Sequence, residues 1–312
     1  MTAPPDPASS GSDPRASVRA RLFVAGAGIM GSGIAAQAAI AGYAVTLEDI
    51  NEAFARRGLE TATRAMDSAV RRGNLTQAGR DAALGNIEIA IGLRRAESAT
   101  LVVEAAPENL ELKRALFREL ETIVPAGTIL ATNTSSLPVT QIAAGLADPG
   151  RVVGVHFFNP VLQMPLVEVI PGHLTRPETV DAARGFAKDL GKTVVGSRDT
   201  PGFVTTRALA VLLNEAAWML YEGTATKEDI DVAYKLGFHH PMGPFELADL
   251  VGLDTALSIL DVLWDGFRDP KYRACPIFRT MVAAGQLGRK TGRGFYEYPA
   301  GRTTAPSAKP TP

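Results

Sequence analysis

Short apolar runs alternate along the chain with longer segments in which apolar positions recur at helical spacing. The first run, Arg21-Leu22-Phe23-Val24-Ala25, leads through glycines into a small-residue segment from Ser32 to Ala41. A second run, Tyr43-Ala44-Val45-Thr46-Leu47, is rich in β-favouring residues. The order strand, turn, helix, strand predicts one βαβ unit. The stretch 51–85 sets Arg56, Arg57, Arg64, Arg71 and Arg72 among apolar positions and predicts one long amphipathic helix or two. Leu101-Val102-Val103, Thr128-Ile129-Leu130, Val152-Val153-Gly154-Val155 and Thr193-Val194-Val195 predict further buried strands. Helical patterns at 109–124, 138–146 and 177–190 separate most of them. Such alternation predicts an α/β fold with a doubly wound, mostly parallel sheet. At Asp199-Thr200-Pro201-Gly202 the strand signal stops. Helices are predicted over 203–222, 226–236, 243–250, 252–266 and 275–286. The expected organisation is an α/β domain over 20–198 followed by an all-helical domain over 199–299.

Composition narrows the reading. The 312 residues are 46% hydrophobic and 21% charged, with a formal net charge of −1. These values fit a globular chain of two modest domains and give no push toward nucleic acid or an acidic membrane surface. The single cysteine, Cys275, excludes an internal disulfide and a cysteine-based zinc site. A reducing, cytoplasmic compartment is expected, and no metal site. Of the 21 prolines, Pro4, Pro5, Pro7 and Pro14 lie near the amino end, and Pro299, Pro306, Pro310 and Pro312 near the carboxyl end. The segments 1–19 and 300–312 are therefore expected to stay outside the fold as disordered tails. The first has no apolar core of a secretory signal, and no uncharged apolar run reaches 18 residues, so no membrane span is expected.

Gly26-Ala27-Gly28-Ile29-Met30-Gly31 matches G-x-G-x-x-G directly after a strand and at the start of a helix. Glycines there permit a tight turn, close approach of the backbone to a pyrophosphate, and close helix–strand packing. The helix amino end offers unpaired N–H groups to the phosphates. Asp49 closes the second strand, where a carboxylate can accept hydrogen bonds from adenosine ribose hydroxyls. No Arg or Lys follows it in Ile50, Asn51 or Glu52, which favours NAD over NADP.

Four histidines are present. His239 and His240 precede Pro241 in a turn, and His173 follows a Pro-Gly pair, so all three read as loop residues. His156 ends a predicted strand, the edge of an open α/β sheet at which ligands bind, and can take a proton from a substrate hydroxyl near neutral pH. Glu168 is one charge inside the apolar run Leu166-Val167-Glu168-Val169-Ile170. It either faces solvent from an edge strand or holds His156 in the required tautomer. Asn133-Thr134-Ser135-Ser136 follows another strand, so the Ser135 hydroxyl can bind a substrate oxygen.

Together these segments resemble the L-3-hydroxyacyl-CoA dehydrogenase family, in particular its short-chain 3-hydroxybutyryl-CoA members. The resemblance runs from about residue 20 to 298 through Gly26–Gly31, Val102-Val103-Glu104-Ala105, Glu108-Asn109-Leu110 and Asn133-Thr134-Ser135-Ser136. It continues in His156-Phe157-Phe158-Asn159-Pro160, Leu166-Val167-Glu168-Val169, Asp199-Thr200-Pro201-Gly202-Phe203, Pro241-Met242-Gly243-Pro244-Phe245-Glu246-Leu247 and Lys290-Thr291-Gly292-Arg293-Gly294-Phe295-Tyr296. It implies a Rossmann NAD domain and a helical C-terminal domain that forms a homodimer. It puts the catalytic pair on His156 and Glu168, and substrate contacts on Ser135 and Thr206. Cofactor contacts fall on Gly26, Ala27, Gly28, Ile29, Met30, Gly31, Asp49, Glu108, Lys113, Ser135, Asn159 and Lys290. Without the resemblance, Glu108 and Lys113 read as a solvated helix start and Lys290 as a basic turn. Thr206 stands where many members carry asparagine, a departure expected to alter substrate fit or rate. The family's coenzyme A contacts lie on the helix after Asp49. Arg71 or Arg72 there can meet its phosphates or simply form a solvated basic face.

The implied reaction is reversible NAD-dependent oxidation of an (S)-3-hydroxyacyl-CoA to the 3-oxoacyl-CoA. The same chemistry on an acyl-carrier-protein thioester or a free 3-hydroxy acid, and a non-catalytic NAD-binding dimer, are the alternatives.

Overall fold

Leu22, Phe23, Val24 and Ala25 are all buried, as are Val102 and Val103. Strands apolar on both faces need cover on both sides, which helices crossing between parallel strands provide. A computed structural model describes residues 19–298. The two tails otherwise lie outside the described residues, although Arg19 already belongs to the first strand.

The first half runs β1 (Arg19–Ala25), α1 (Ile29–Ile40), β2 (Tyr43–Asp49), α2 (Glu52–Arg71), α3 (Gln77–Gly85), β3 (Ile87–Ile91), β4 (Leu101–Glu104) and α4 (Leu110–Ile123). Then come β5 (Ile129–Thr132), α5 (Val139–Ile142), β6 (Val152–Phe157), β7 (Leu166–Pro171), α6 (Pro177–Asp189) and β8 (Thr193–Gly196). Helices α7 (Thr205–Tyr221), α8 (Lys227–Gly237), α9 (Pro244–Val251), α10 (Leu253–Phe267) and α11 (Pro276–Ala283) follow.

The eight strands form one sheet in the order β3-β2-β1-β4-β5-β6-β7-β8. Neighbours are parallel except β6 and β7. The order reverses between β1 and β4, and crevices beyond strand ends at such a switch point bind dinucleotides.

Several expectations change. Strand β3 was not foreseen, because Ile87-Glu88-Ile89-Ala90-Ile91 is a short, half-exposed edge strand without a continuous apolar run. Strand β7 is interior and Glu168 is fully buried, which excludes the solvent-facing alternative for that carboxylate. Strand β8, expected to be buried, is the edge, with Thr193, Val195 and Gly196 exposed. The helical pattern at 138–146 shrinks to the single turn of α5. Asp199 caps that turn, accepting from the Val139 and Thr140 amides at 2.7 Å each.

The described chain divides into two units. The first holds the residues up to Thr134 together with Ile142–Gly196, and carries the whole sheet. The second holds Ser135–Gln141 and the chain from Ser197 onward. The seven residues after Thr134 thus break the unbroken span 20–198 expected for the α/β domain. The first core packs Leu22, Val24, Ile34, Val103, Val153 and Phe186 around the sheet. The second packs Leu213, Phe245, Leu260, Leu263, Tyr272 and Phe278 between helices. No helix among the described residues is long and apolar enough to cross a membrane.

Candidate functional site

The glycine turn joins β1 to α1. Gly26 has φ +102°, and a Cβ there would sit 2.8 Å from the Ala105 carbonyl oxygen, so only glycine lets the turn pass the end of β4. A Cβ on Gly31 would collide with the Gly26 carbonyl, while one on Gly28 would meet nothing within 4 Å. No side chain caps α1, so its first amides, from Ile29, Met30 and Gly31, are available to an anion. Ala27 donates its N–H to Asp49 at 2.9 Å, and the same carboxylate accepts from Ile50 N–H at 2.8 Å. Asp49 therefore ties the turn to the end of β2. A cavity of about 240 Å³ opens here, lined by Gly28, Ile29, Asp49, Phe54, Arg57 and neighbours. An open glycine, unpaired amides and a carboxylate in one cradle fit a dinucleotide. The residues directly after Asp49 carry no cation, and Arg57 lies further along, on α2. One helical turn brings it back to the same cavity, its guanidinium 5.0 Å from the Phe54 ring centroid.

Across the switch point, β4 ends in Glu104, which is fully buried. Its carboxylate accepts from Lys113 Nζ at 2.6 Å, Ala106 N–H at 2.7 Å and Thr132 Oγ1 at 2.7 Å. Lys113 is 1% exposed, so the solvated helix start fails for it. It also donates to the Ala106 carbonyl at 3.1 Å and stands 3.5 Å from Glu108, whose other oxygen accepts from Thr134 Oγ1 at 2.7 Å. Sequence reading missed Glu104 as a functional residue. Its signal was a lone carboxylate closing an apolar strand.

His156 and Glu168 stand opposite each other in the antiparallel β6–β7 register. Opposed residues share one face of a sheet, which brings Nδ1 of His156 to 2.8 Å from Oε2 of Glu168. Both side chains are buried. An ionised carboxylate only accepts, so Nδ1 is the donor of this pair. The Phe158 ring lies against the imidazole at 4.5 Å. Asn133 accepts from Phe157 N–H at 2.9 Å, tying the end of β6 to the end of β5. Asn159 is exposed just beyond. A second cavity of about 240 Å³ is lined by Asn159, Val161, Gln163, Ser68 and Arg72 among others, so of the two arginines Arg72 lines this cavity.

The remaining expected residues belong to the second unit. Ser135 is half-buried in a bend, and Thr206 is buried in the first turn of α7. Lys290 donates to Asp254 at 2.7 Å from a short 3₁₀ turn and is half exposed. Of the other histidines, His173 and His239 are exposed, and His240 packs against Tyr234 and Phe238.

Comparison with known proteins shows the family. Residues 21–200 match the 3-hydroxyacyl-CoA dehydrogenase NAD binding domain, and residues 202–298 match the C-terminal domain of the same family. A probable 3-hydroxybutyryl-CoA dehydrogenase of Bacillus subtilis is 48% identical over 278 residues, covering 89% of this chain and 97% of the relative. A 3-hydroxybutyryl-CoA dehydrogenase of Bradyrhizobium diazoefficiens is 45% identical over 283 residues, covering 91% of this chain and 97% of the relative. The crystal structure of (S)-3-hydroxybutyryl-CoA dehydrogenase from Ralstonia eutropha superposes with a TM-score of 0.86 at 42% identity, covering 90% of this chain and 99% of that one. The chain belongs to the 3-hydroxyacyl-CoA dehydrogenase family of NAD-dependent oxidoreductases.

Proposed function

We propose that this chain catalyses the reversible oxidation of (S)-3-hydroxybutyryl-CoA and related short-chain 3-hydroxyacyl-CoA thioesters to the 3-oxoacyl-CoA. The hydrogen-bonded, buried His156–Glu168 pair at the carboxyl edge of the sheet carries this reading. His156 Nε2 accepts the proton of the C3 hydroxyl, and Glu168 stabilises the imidazolium so formed. NAD would supply the hydride acceptor for C3. Gly26, Ala27, Gly28, Ile29, Met30 and Gly31 would hold its pyrophosphate, Asp49 its adenosine ribose, and Glu108, Lys113 and Asn159 its other half. Ser135, Thr206 and Lys290 keep the roles that the family resemblance gives them, with Ser135 and Thr206 on the substrate oxygen and Ser135 and Lys290 on the cofactor. Arg72, beside Asn159 and Gln163 in one cavity, favours a coenzyme A thioester over a free acid, because it offers a cation to nucleotide phosphates. The working form proposed is a cytoplasmic homodimer, in keeping with a single, buried cysteine.

The test is NADH oxidation with acetoacetyl-CoA, compared with acetoacetate and with an acetoacetyl-carrier-protein thioester. Saturable turnover of the CoA thioester at far higher kcat/KM than either rival supports the reading. Preference for a rival substrate, or wild-type turnover by His156→Ala, overturns it.

A further inference from the structure

Glu104 is a buried carboxylate that no role above uses. Burying a charge is costly, and a buried ion pair is often no more stabilising than an apolar pair of the same volume. Stability alone therefore does not call for a Glu104–Lys113 pair. Its geometry does something an apolar pair cannot. The carboxylate gathers three donors from three elements: the Ala106 amide beyond β4, the Lys113 ammonium on α4, and the Thr132 hydroxyl on β5. The Ala105–Ala106 peptide it holds is the one that Gly26 passes at contact distance. Lys113 spends two donors at 2.6 and 3.1 Å, and the third reaches Glu108 only at 3.5 Å.

The sheet order places β2 and Asp49 on one side of the glycine turn, and β4 with Glu104 on the other. A dinucleotide whose adenosine ribose meets Asp49 must send its other half toward the end of β4. We propose that Glu104 is the positioning residue for the nicotinamide half of the cofactor. It fixes the Ala105–Ala106 backbone and aims the Lys113 ammonium toward Glu108. This rests on the cofactor placement proposed above.

The test is fluorescence titration of NADH against purified Glu104→Gln and Glu104→Asp proteins, with the acetoacetyl-CoA KM measured beside it. Gln removes the charge at constant size. Asp keeps the charge but draws the anchor back by one methylene, which preserves folding if Gln does not. Each variant is expected to weaken NADH binding about tenfold or more, leaving the thioester KM near wild type, because displacing a supporting group misplaces the contact it holds. A melting-point drop alone does not alter a dissociation constant measured on folded protein. NADH affinity within twofold of wild type in Glu104→Asp, or equal losses for NADH and thioester, overturns the proposal. Failure of the wild-type protein to bind NADH would refute the cofactor placement instead.

Discussion

His156 and Glu168 face one another across β6–β7, the antiparallel ladder of an otherwise parallel sheet, with Nδ1 and Oε2 2.8 Å apart. An antiparallel neighbour sets a residue from the return strand squarely opposite one at the functional strand end. The histidine is thus oriented by the sheet itself rather than by a mobile loop. Replacing Glu168 by Gln keeps the shape but removes the charge that stabilises an imidazolium. Steady-state assays should show kcat lowered about 10²-fold or more with the NADH dissociation constant unchanged. A variant with near-normal kcat would remove Glu168 from the mechanism.

The adenosine side of the cradle also holds a buried carboxyl. Glu48 is 5% exposed, accepts from Gly92 N–H at 3.2 Å, and precedes Asp49. Burial first, and then the neighbouring Asp49 charge, push its pKa up to about 7. The folded state therefore binds this proton more tightly than the unfolded chain does. Its contribution to stability is complete below about pH 4.5 and is lost as pH rises through about 7. The full span amounts to about 3 kcal/mol. Melting curves from pH 5 to 8 should fall less steeply for Glu48→Gln than for wild type. Parallel curves would show that Glu48 does not titrate in this window.

Asp49 and Arg57 line one cavity, with opposite consequences for a ribose 2′-phosphate. The carboxylate repels it and the guanidinium attracts it. Replacing Asp49 by Ser should lower kcat/KM for NADH about tenfold and raise it for NADPH, through the cation already present. Adding Arg57→Ala should abolish that gain, which paired assays with the two cofactors will read. An NADPH gain that survives the second substitution would exclude Arg57.

The Asn159–Gln163 wall of the second cavity is clamped from below. Lys192 is buried and donates to the carbonyls of Val161 at 2.5 Å and Met164 at 3.0 Å, and burial pushes its pKa down. Lys192→Met keeps the stem and removes both hydrogen bonds. The acetoacetyl-CoA KM should rise about fivefold or more, with little change in NADH binding. Equal effects on both ligands would show general loosening of the unit rather than a role at this wall.

How far the sequence could be read depends on the kind of contact involved. Strands β1, β4 and β6 were visible because their residues are buried on both faces, which leaves continuous apolar runs. Strand β3 was not, because an edge strand needs only intermittent apolar positions. The residues alone left Glu168 open between facing solvent and holding His156, since a register between strands has no linear signature. Without the family resemblance Lys113 reads as solvated, because periodicity on α4 does not reveal that Glu104 waits at the end of β4. Arg57 was passed over because helical phase, not adjacency, returns it to Asp49.

In the second unit, Asp249 holds the segment that follows Lys290. It is 1% exposed and accepts from the Phe295 and Tyr296 amides at 2.9 Å each and from the Tyr298 hydroxyl at 3.0 Å. Burial raises its pKa against these stabilising hydrogen bonds. Asp249→Asn retains one acceptor oxygen and introduces two donors beside groups that themselves donate. The loss should be about 2–3 kcal/mol, because one of the two amides is left without an acceptor and faces a new donor. Limited proteolysis should then cut between 288 and 298 at protease levels the wild type resists, and the melting temperature should fall. Unchanged cleavage in that stretch would show that the aromatic packing of Phe295 against Phe245 and Phe278 holds the segment without the carboxylate.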